Sequence, residues 1–329
     1  MSKALRGVGR GFQLCAAVLL LVWVWLAVSF HAQGALGLAL HTALLALAAG
    51  FGLAAWQRWW GLLWAGMAAL MVIAGLWWVL QVPRDDRVWA MDVAHGVTGE
   101  IDGSRVTLRN VRNFRWQDPV TAVENWETRV VDADRIISLD MFTSIWDSPL
   151  IAHVLVSFGF DDGQQIVFSG EIRREEGEVF SALGGFFRRY ELVMIAADER
   201  DIVHLRTDAR GEQVSIFPVT LEPEARKQLF LNFVKRGNEL AAKPEWYHTL
   251  LANCTTVPFG LVKGIAPGLA LDWRVLASGH LPGYLHELGV LQPDLTLAEA
   301  LQRATLSKSG PEAASGPAYS DLLRRAWAP

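Results

Sequence analysis

The chain has 329 residues, of which 52% are hydrophobic and 15 are tryptophan. A net charge of −4 excludes the strongly basic surface typical of nucleic-acid-binding proteins. The two cysteines, Cys15 and Cys254, are too few and too far apart for a disulfide framework or a paired-cysteine metal site. Because Cys15 lies in an apolar run, we expect no disulfide between them.

Three apolar segments near the N-terminus are predicted to cross a membrane. They cover 12–30, 34–56 and 59–82, and each is long enough to span a bilayer. Tryptophans 56, 59, 60, 77 and 78 fall where an interfacial aromatic belt would lie. A cleaved signal peptide is the alternative for the first segment. Its long, tryptophan-containing core and the two spans that follow favour three retained helices, a membrane anchor over residues 1–82.

The basic residues around these segments predict their orientation. Lys3, Arg6 and Arg10 precede the first segment and Arg58 separates the second from the third, whereas the first loop has no basic residue. The positive-inside rule then places the N-terminus in the cytoplasm and the chain after Val82 outside. In a Gram-negative cell this is an inner-membrane protein with its main domain in the periplasm.

Beyond residue 82 the pattern indicates a water-soluble α+β domain. We divide it into a strand-rich extension at 83–139, a main domain at 140–309, and a linker with a tail at 310–329. One helix is predicted from near Thr220 to before Pro244, and 178–190 is ambiguous, with a short helix as one reading. Alternating apolar and polar residues predict an antiparallel sheet with strands at 87–97, 105–114, 124–131, 135–142, 150–160, 165–169, 191–196, 201–207 and 214–219.

Cys254 is the candidate nucleophile. Asn253 is predicted to cap a helix that starts at Thr255, and a thiol at a helix N-terminus is stabilised as thiolate by the helix dipole. The alternative is a small buried apolar side chain. The polar neighbours Asn253 and Thr255 are unlike a core environment, but from the residues alone both readings stay open.

A cysteine nucleophile needs a base and a group that orients the base. Six histidines follow the apolar segments, and periodicity does not choose between His153 and His204, which both lie in predicted apolar strands. If the strands around the turn at 161–163 pair, Glu171 comes close to His153 and suits the orienting role. A solvated surface charge is the alternative for Glu171. The sequence contains no metal-ligand motif, phosphate-binding loop or serine elbow, so we expect neither a metal nor another cofactor.

Four segments together resemble the Lnb N-terminal periplasmic domain family. They are His153-Val-Leu-Val-Ser-Phe, Ser169-Gly-Glu-Ile-Arg, Asp201-Ile-Val-His-Leu-Arg, and the stretch from Trp246-Tyr to Asn253-Cys-Thr. That family is similar to a circularly permuted papain-like fold, related to the NlpC and lecithin retinol acyltransferase groups. The histidine strand then precedes the cysteine-bearing helix, and 140–309 is the catalytic domain. The resemblance covers about 140–265.

The resemblance implies roles for individual residues. Cys254 matches the nucleophile, His153 the base and Glu171 the third polar residue. Arg173 and Tyr247 match recurrent positions without an assigned role, and we count them with Asn253 and Thr255 as site support. The implied activity is lipoprotein N-acylation, with phospholipid as acyl donor and a lipoprotein amine as acceptor.

Two other functions remain open from the sequence. One is a cysteine hydrolase that cleaves peptidoglycan peptides or lipid esters. The other is a non-catalytic envelope binding or scaffold protein that keeps the fold. In the name-giving acyltransferases the periplasmic domain precedes the membrane helices, whereas here three predicted helices precede it. The resemblance therefore bears on the thiol chemistry more than on the acceptor.

Overall fold

The computed structural model describes residues 3–292, 294–308 and 318–327. The chain divides into two compact units. One, which we call the membrane unit, comprises Met1–Pro83 and Ser181–Arg189. The other, the sheet unit, comprises Arg84–Phe180 and Tyr190–Pro329.

Three long helices form most of the membrane unit. They are α1 (Lys3–His31), α2 (Gly34–Trp56) and α3 (Trp60–Leu80), and each is long and apolar enough to cross a membrane. Few of their side chains are buried, and most apolar side chains point outward, as they do in helices that face lipid. The prediction of three apolar N-terminal helices is confirmed.

The segment Ser181–Arg189 packs on two of these helices. Arg188 Nη1 donates to the carbonyl of Trp78 (2.7 Å), and Arg189 Nη1 donates to the carbonyl of Phe30 (2.9 Å). Both carbonyls lie in last helical turns, which lack intrahelical donors. The segment contains only a short 3-10 turn at Gly184–Phe186, so the short helix suggested for 178–190 does not form. Two adjacent glycines, Gly184 and Gly185, disfavour a longer helix.

Nine strands of the sheet unit form one mixed sheet within residues 3–292, in the order β1-β2-β9-β8-β7-β6-β10. In addition, β5 pairs with β2 and β11 pairs with β9. All of its strand pairs are antiparallel except β2 with β9, so the prediction of a purely antiparallel sheet was wrong for that one pair. The strands are β1 (Thr98–Asp102), β2 (Arg105–Arg112), β5 (Trp126–Asp132), β6 (Ile136–Ile145), β7 (His153–Phe160), β8 (Gln165–Arg173), β9 (Glu191–Ala197), β10 (Gln213–Pro218) and β11 (Glu245–Trp246), with β3 (Arg115–Trp116) and β4 (Ala122–Val123) forming a separate pair.

Strand β6 runs through the predicted boundary at 139/140. Strands on both sides of that position therefore belong to the same sheet. Residues 309–317 and 328–329, which include most of the predicted linker, lie outside the described residues. The helices of the sheet unit are α4 (Glu199–His204), α5 (Pro223–Ala242), α6 (Thr256–Ile265), α7 (Leu281–Glu287), α8 (Leu297–Ala304) and α9 (Tyr319–Arg324).

Helix α5 packs on one face of the sheet through an aromatic cluster. Phe158 and Phe168 from β7 and β8 meet Phe230 and Phe233 from the helix, and Phe168 stacks on Phe233 with ring centroids 5.0 Å apart. All four side chains are fully buried. Burying each contributes on the order of 2 kcal/mol relative to exposure. This cluster fixes the β7–β8 hairpin, which carries part of the site.

The strand predicted at 201–207 was wrong. These residues form the end of α4 and a following π-helical turn at Leu205–Ala209. The side chain of Asp198 caps α4 by accepting the amide of Arg200 (3.1 Å). An aspartate just before the predicted strand was therefore an available signal for a helix start. Asp201 is fully buried against Arg112 (3.0 Å), which fixes the turn of the helix. The strand predicted at 87–97 is likewise replaced by an isolated bridge at Trp89 and a 3-10 turn at Met91–Val93.

Candidate active site

His153 is the first residue of β7 and lies opposite the end of β8. The two strands pair antiparallel with Val156 opposite Phe168, so their register brings His153 beside Glu171. The imidazole Nε2 is 2.7 Å from Ser169 Oγ and 3.0 Å from Glu171 Oε1. The structure thus brings His153 and Glu171 together at one end of the hairpin, as the strand pairing required.

Three groups meet at Glu171 Oε1. Besides His153, the hydroxyl of Ser169 donates to it over 2.8 Å and Arg206 Nη2 donates over 3.0 Å. Arg206 reaches this position from the π-helical turn after α4, and its Nη1 donates to Glu212 (3.2 Å). Arg206 is buried between the two carboxylates. The carboxylate of Glu171 is therefore held in place from three sides.

Cys254 completes the cluster from the turn before α6. The thiol lies close enough to His153 and to the backbone N–H of Val154 for both to lower its pKa. Cys254 Sγ is also 3.8 Å from Thr255 Oγ1. The residue is only partly buried, so a substrate can reach the sulfur.

Asn253 fixes the backbone around the thiol. Its Oδ1 accepts the amides of Thr255 and Thr256, both at 2.8 Å, and its Nδ2 donates to the carbonyl of Thr249 (2.6 Å). Asn253 thus binds amides at the helix start, as a cap would, but the N-cap residue itself is Thr255, two positions later than predicted. The helix itself begins at Thr256, so Cys254 lies two residues before it and the expected cysteine-bearing helix is not seen.

The same bonds decide which amides could bind an oxyanion. Free amides at the start of a helix can stabilise a developing negative charge. Asn253 already occupies those of Thr255 and Thr256, and the amide of Val257 donates to the carbonyl of Asn253. The amide of Cys254 makes no hydrogen bond within the part of the chain that the structure describes. It is therefore the available donor beside the sulfur.

The charges of the cluster favour a thiolate–imidazolium pair. Burial and Arg206 lower the pKa of His153, but the charges of Glu171 and Cys254 outweigh them and raise it to about 9. Burial raises the pKa of Cys254, but His153 and the Val154 amide outweigh this and lower it. His153 and Arg206 together overcome the burial of Glu171 and hold its pKa well below the ordinary value. At neutral pH the imidazole is charged and the thiol is poised to ionise.

Tyr247 borders the cluster, whereas Arg173 does not. Burial, followed by the charges of Cys254 and Glu171, raises the pKa of Tyr247. The phenol thus remains a neutral donor near the site. Arg173 instead donates to the carbonyls of Val93 (3.1 Å) and Ala94 (2.7 Å). It holds the segment before β1 against β8, and the structure does not bring it to the sulfur.

Sequence reasoning gave no role to Ser169 or Arg206, although both occur in segments that carried the resemblance. Ser169 precedes Glu171 by two positions in a strand, so the two side chains share a face. That spacing was an available signal. Arg206 was placed in a strand that does not exist, and only the helical turn after α4 brings it to Glu171.

The family comparison agrees with the resemblance. Residues 122–279 match the family model of the Lnb N-terminal periplasmic domain. The match begins at β4, ends in the 3-10 turn Ser278–His280, and contains every residue of the Cys254 cluster. No curated protein and no solved structure matches the chain. Because they match this model, we call residues 122–279 the Lnb domain. Together with the three apolar helices, the match indicates a membrane-associated protein with a domain of the periplasmic type.

Proposed function

We propose that this protein is a membrane-anchored cysteine acyltransferase of the periplasm, which moves an acyl chain from a phospholipid to the amine of a lipoprotein or a similar acceptor. The observation that carries the proposal is the partly buried Cys254 thiol beside His153, whose Nε2 is held by Glu171 and Ser169. A nucleophile, a base and an orienting carboxylate in this order are what thiol acyl transfer requires.

In the first step the Cys254 thiolate attacks the carbonyl carbon of the phospholipid ester and a C–S bond forms. The amide of Cys254 faces the negative charge that develops on the carbonyl oxygen. When the tetrahedral species collapses, the ester C–O bond breaks. The imidazolium of His153 gives its proton to the leaving alkoxide, which departs as lysophospholipid.

In the second step the neutral amine of the acceptor attacks the thioester. A C–N bond forms, the C–S bond breaks, and the thiolate of Cys254 is released. His153, now neutral, takes the proton of the amine and returns to its starting state. Glu171 keeps its charge throughout and stabilises the imidazolium at both stages.

The chain order supports a permuted papain-like arrangement for the Lnb domain. The histidine strand β7 comes early, and the turn with Cys254 follows after about a hundred residues (153 to 254). The basic residues Arg10 and Arg58 support a cytoplasmic N-terminus, an inner-membrane location and a periplasmic Lnb domain. Phospholipid and lipoprotein would both then lie in the leaflet next to the site.

The test uses the full chain in nanodiscs that contain a phospholipid with isotopically labelled acyl chains. A diacylglyceryl-cysteine peptide is added or withheld, and the products are measured by mass spectrometry. The proposal predicts lysophospholipid and N-acylated peptide, both lost in Cys254→Ala and His153→Ala and both retained in Cys15→Ala. Labelled free fatty acid without any use of the peptide would show a hydrolase instead. Absence of every product would contradict both enzymatic functions.

A further inference from the structure

Six exposed apolar side chains lie in or next to the loops that carry His153 and Cys254. Leu150 and Ile151 immediately precede the strand that begins with His153, and Leu250 and Leu251 precede Cys254 by a few residues. His153 and Cys254 are close enough to interact electrostatically, so both loops lead into the same site. The rings of Trp146 and Phe180 lie 6.3 Å apart and nearly perpendicular. We call these six residues the apolar rim.

All six side chains of the rim are exposed. Their exposed fractions range from 44% for Leu250 to 77% for Leu251. Apolar side chains grouped on a surface indicate an interaction site, whereas single ones carry no such meaning. Four of the six residues also lie within four positions of His153 or Cys254, in a site for which a lipid substrate is proposed. A ligand or surface that covers it would remove a substantial apolar area from water.

The loops that carry the rim are fixed by backbone hydrogen bonds. Ser278 Oγ accepts the amide of Ala152 (2.8 Å) and donates to its carbonyl (2.6 Å), and the amide of Gly279 donates to the carbonyl of Leu150 (3.1 Å). In the second loop, His248 and Ala252 exchange both backbone bonds at 3.0 Å. The leucine and isoleucine side chains are thus held outward by ordered backbone.

The connections between the sheet unit and the membrane unit indicate which surface covers the rim. Phe180 is the last residue of the sheet unit before Ser181–Arg189, which belongs to the membrane unit. At the other connection, Arg84 follows the last residue of α3 by four positions, a reach of at most about 14 Å. Both connections are short covalent tethers between the sheet unit and the three apolar helices. The rim residues are uncharged, and aromatic and aliphatic side chains of this kind partition into the membrane interface.

We propose that the apolar rim docks on the lipid bilayer, so that the acyl chain of a phospholipid passes from the leaflet to Cys254 without crossing water. The docking rests on the exposed residues and the chain connections, while the passage of the acyl chain rests on the proposed function. An amphipathic surface of this type binds in proportion to the apolar area it buries, with no requirement for a specific headgroup.

The experiment uses the full chain in phosphatidylethanolamine and phosphatidylglycerol nanodiscs that contain a phospholipid with a diazirine in its acyl chain. After illumination, lipid adducts are mapped by mass spectrometry. We expect adducts on the peptides that contain 150–151 and 250–251. The peptide that contains Ile137 serves as control, because Ile137 is 60% exposed in the sheet unit but lies outside the rim. We expect it to be labelled at background level.

A variant pair sharpens the test. The double variant Leu250→Glu and Leu251→Glu should lose the rim adducts and acylate Cys254 from bilayer phospholipid about tenfold more slowly, because two charges oppose burial in the interface. Ile137→Glu should change neither readout. Alkylation of Cys254 by iodoacetamide, unchanged in both variants, shows that the site remains folded.

Two results would overturn the docking. One is labelling of the rim peptides at the level of the Ile137 peptide. The other is rim-to-rim crosslinking between two protein copies with no lipid adducts, which would assign the surface to a second copy. Rim adducts without any acylation of Cys254 would instead refute the proposed function and leave the docking intact.

Discussion

Replacing Glu171 with glutamine removes the charge that keeps His153 protonated. The glutamine side chain has nearly the same shape and can still meet Ser169, whose hydroxyl lies 2.8 Å from Glu171 Oε1. What disappears is the negative charge 3.0 Å from His153 Nε2. Burial and the nearby Arg206 then act on His153 with only the thiolate opposing them, and both lower its pKa.

The structure sets the size of the effect. The rise of the His153 pKa from 6.5 to about 9 corresponds to about 3 kcal/mol of preference for the charged imidazole. Glu171 comes first among the groups that produce the rise. We therefore expect Glu171→Gln to return the pKa of His153 toward its ordinary value, and alkylation of Cys254 at pH 7 to slow by about tenfold.

The assay is the rate of alkylation of Cys254 by iodoacetamide between pH 5 and 10, in about half-unit steps, because the thiolate is the reactive form. Mass spectrometry of the Cys254 peptide separates it from Cys15. The unmodified chain should react at a lower pH than Glu171→Gln, which should react appreciably only as the pH approaches the range of an ordinary thiol. Glu212→Gln is the matched control, since Glu212 contacts Arg206 whereas the side-chain contacts of His153 within the described residues are with Ser169 and Glu171.

One result would refute this reasoning. If Glu171→Gln and the unmodified chain show the same pH profile of alkylation, Glu171 does not hold the charge on His153. If Glu212→Gln shifts the profile as strongly as Glu171→Gln does, the effect reflects the whole buried network and not the carboxylate at His153.

Three further predictions concern other parts of the protein. Acyl transfer should decline as the pH rises through about 9, because His153 then loses the proton it gives to the leaving alkoxide; initial rates across pH test this. Asn253→Ala should lower the free energy of unfolding by about 1 kcal/mol in urea titrations, since two amides lose their cap, and Asn253→Asp should restore it. Arg324→Ala should cost about 3 kcal/mol or more in the same titration, because it leaves the buried Asp140 and Glu199 without their cation, whereas the exposed Arg325→Ala should be near neutral.

The features that the sequence predicted correctly depend on local rules. Three long apolar segments in a membrane form helices, because a helix satisfies all backbone hydrogen bonds within the segment. The approach of Glu171 to His153 follows from one hairpin with a tight turn, in which the register of the strands decides which residues meet. The capping by Asn253 depends on three consecutive residues. Each of these inferences requires only neighbours in sequence.

The features that the sequence did not predict depend on distant contacts. The strand expected at 201–207 becomes helical, with Asp201 buried against Arg112, a partner 89 residues away. The parallel pairing of β2 with β9 joins segments separated by some eighty residues. Arg206 reaches Glu171 only because of that helical turn. The local alternation of apolar and polar residues gives no information about such distant partners, because tertiary contacts override the intrinsic preference of a segment.

The central claim is that Cys254 carries an acyl group during turnover, and one measurement tests it directly. The full chain is incubated in nanodiscs with phospholipid but no acceptor, quenched in acid, and digested, and the mass of the Cys254 peptide is determined. The account predicts one added acyl chain on Cys254, released by hydroxylamine at neutral pH and absent in His153→Ala. A Cys254 peptide that remains unmodified, while the same sample still alkylates readily with iodoacetamide, would contradict it.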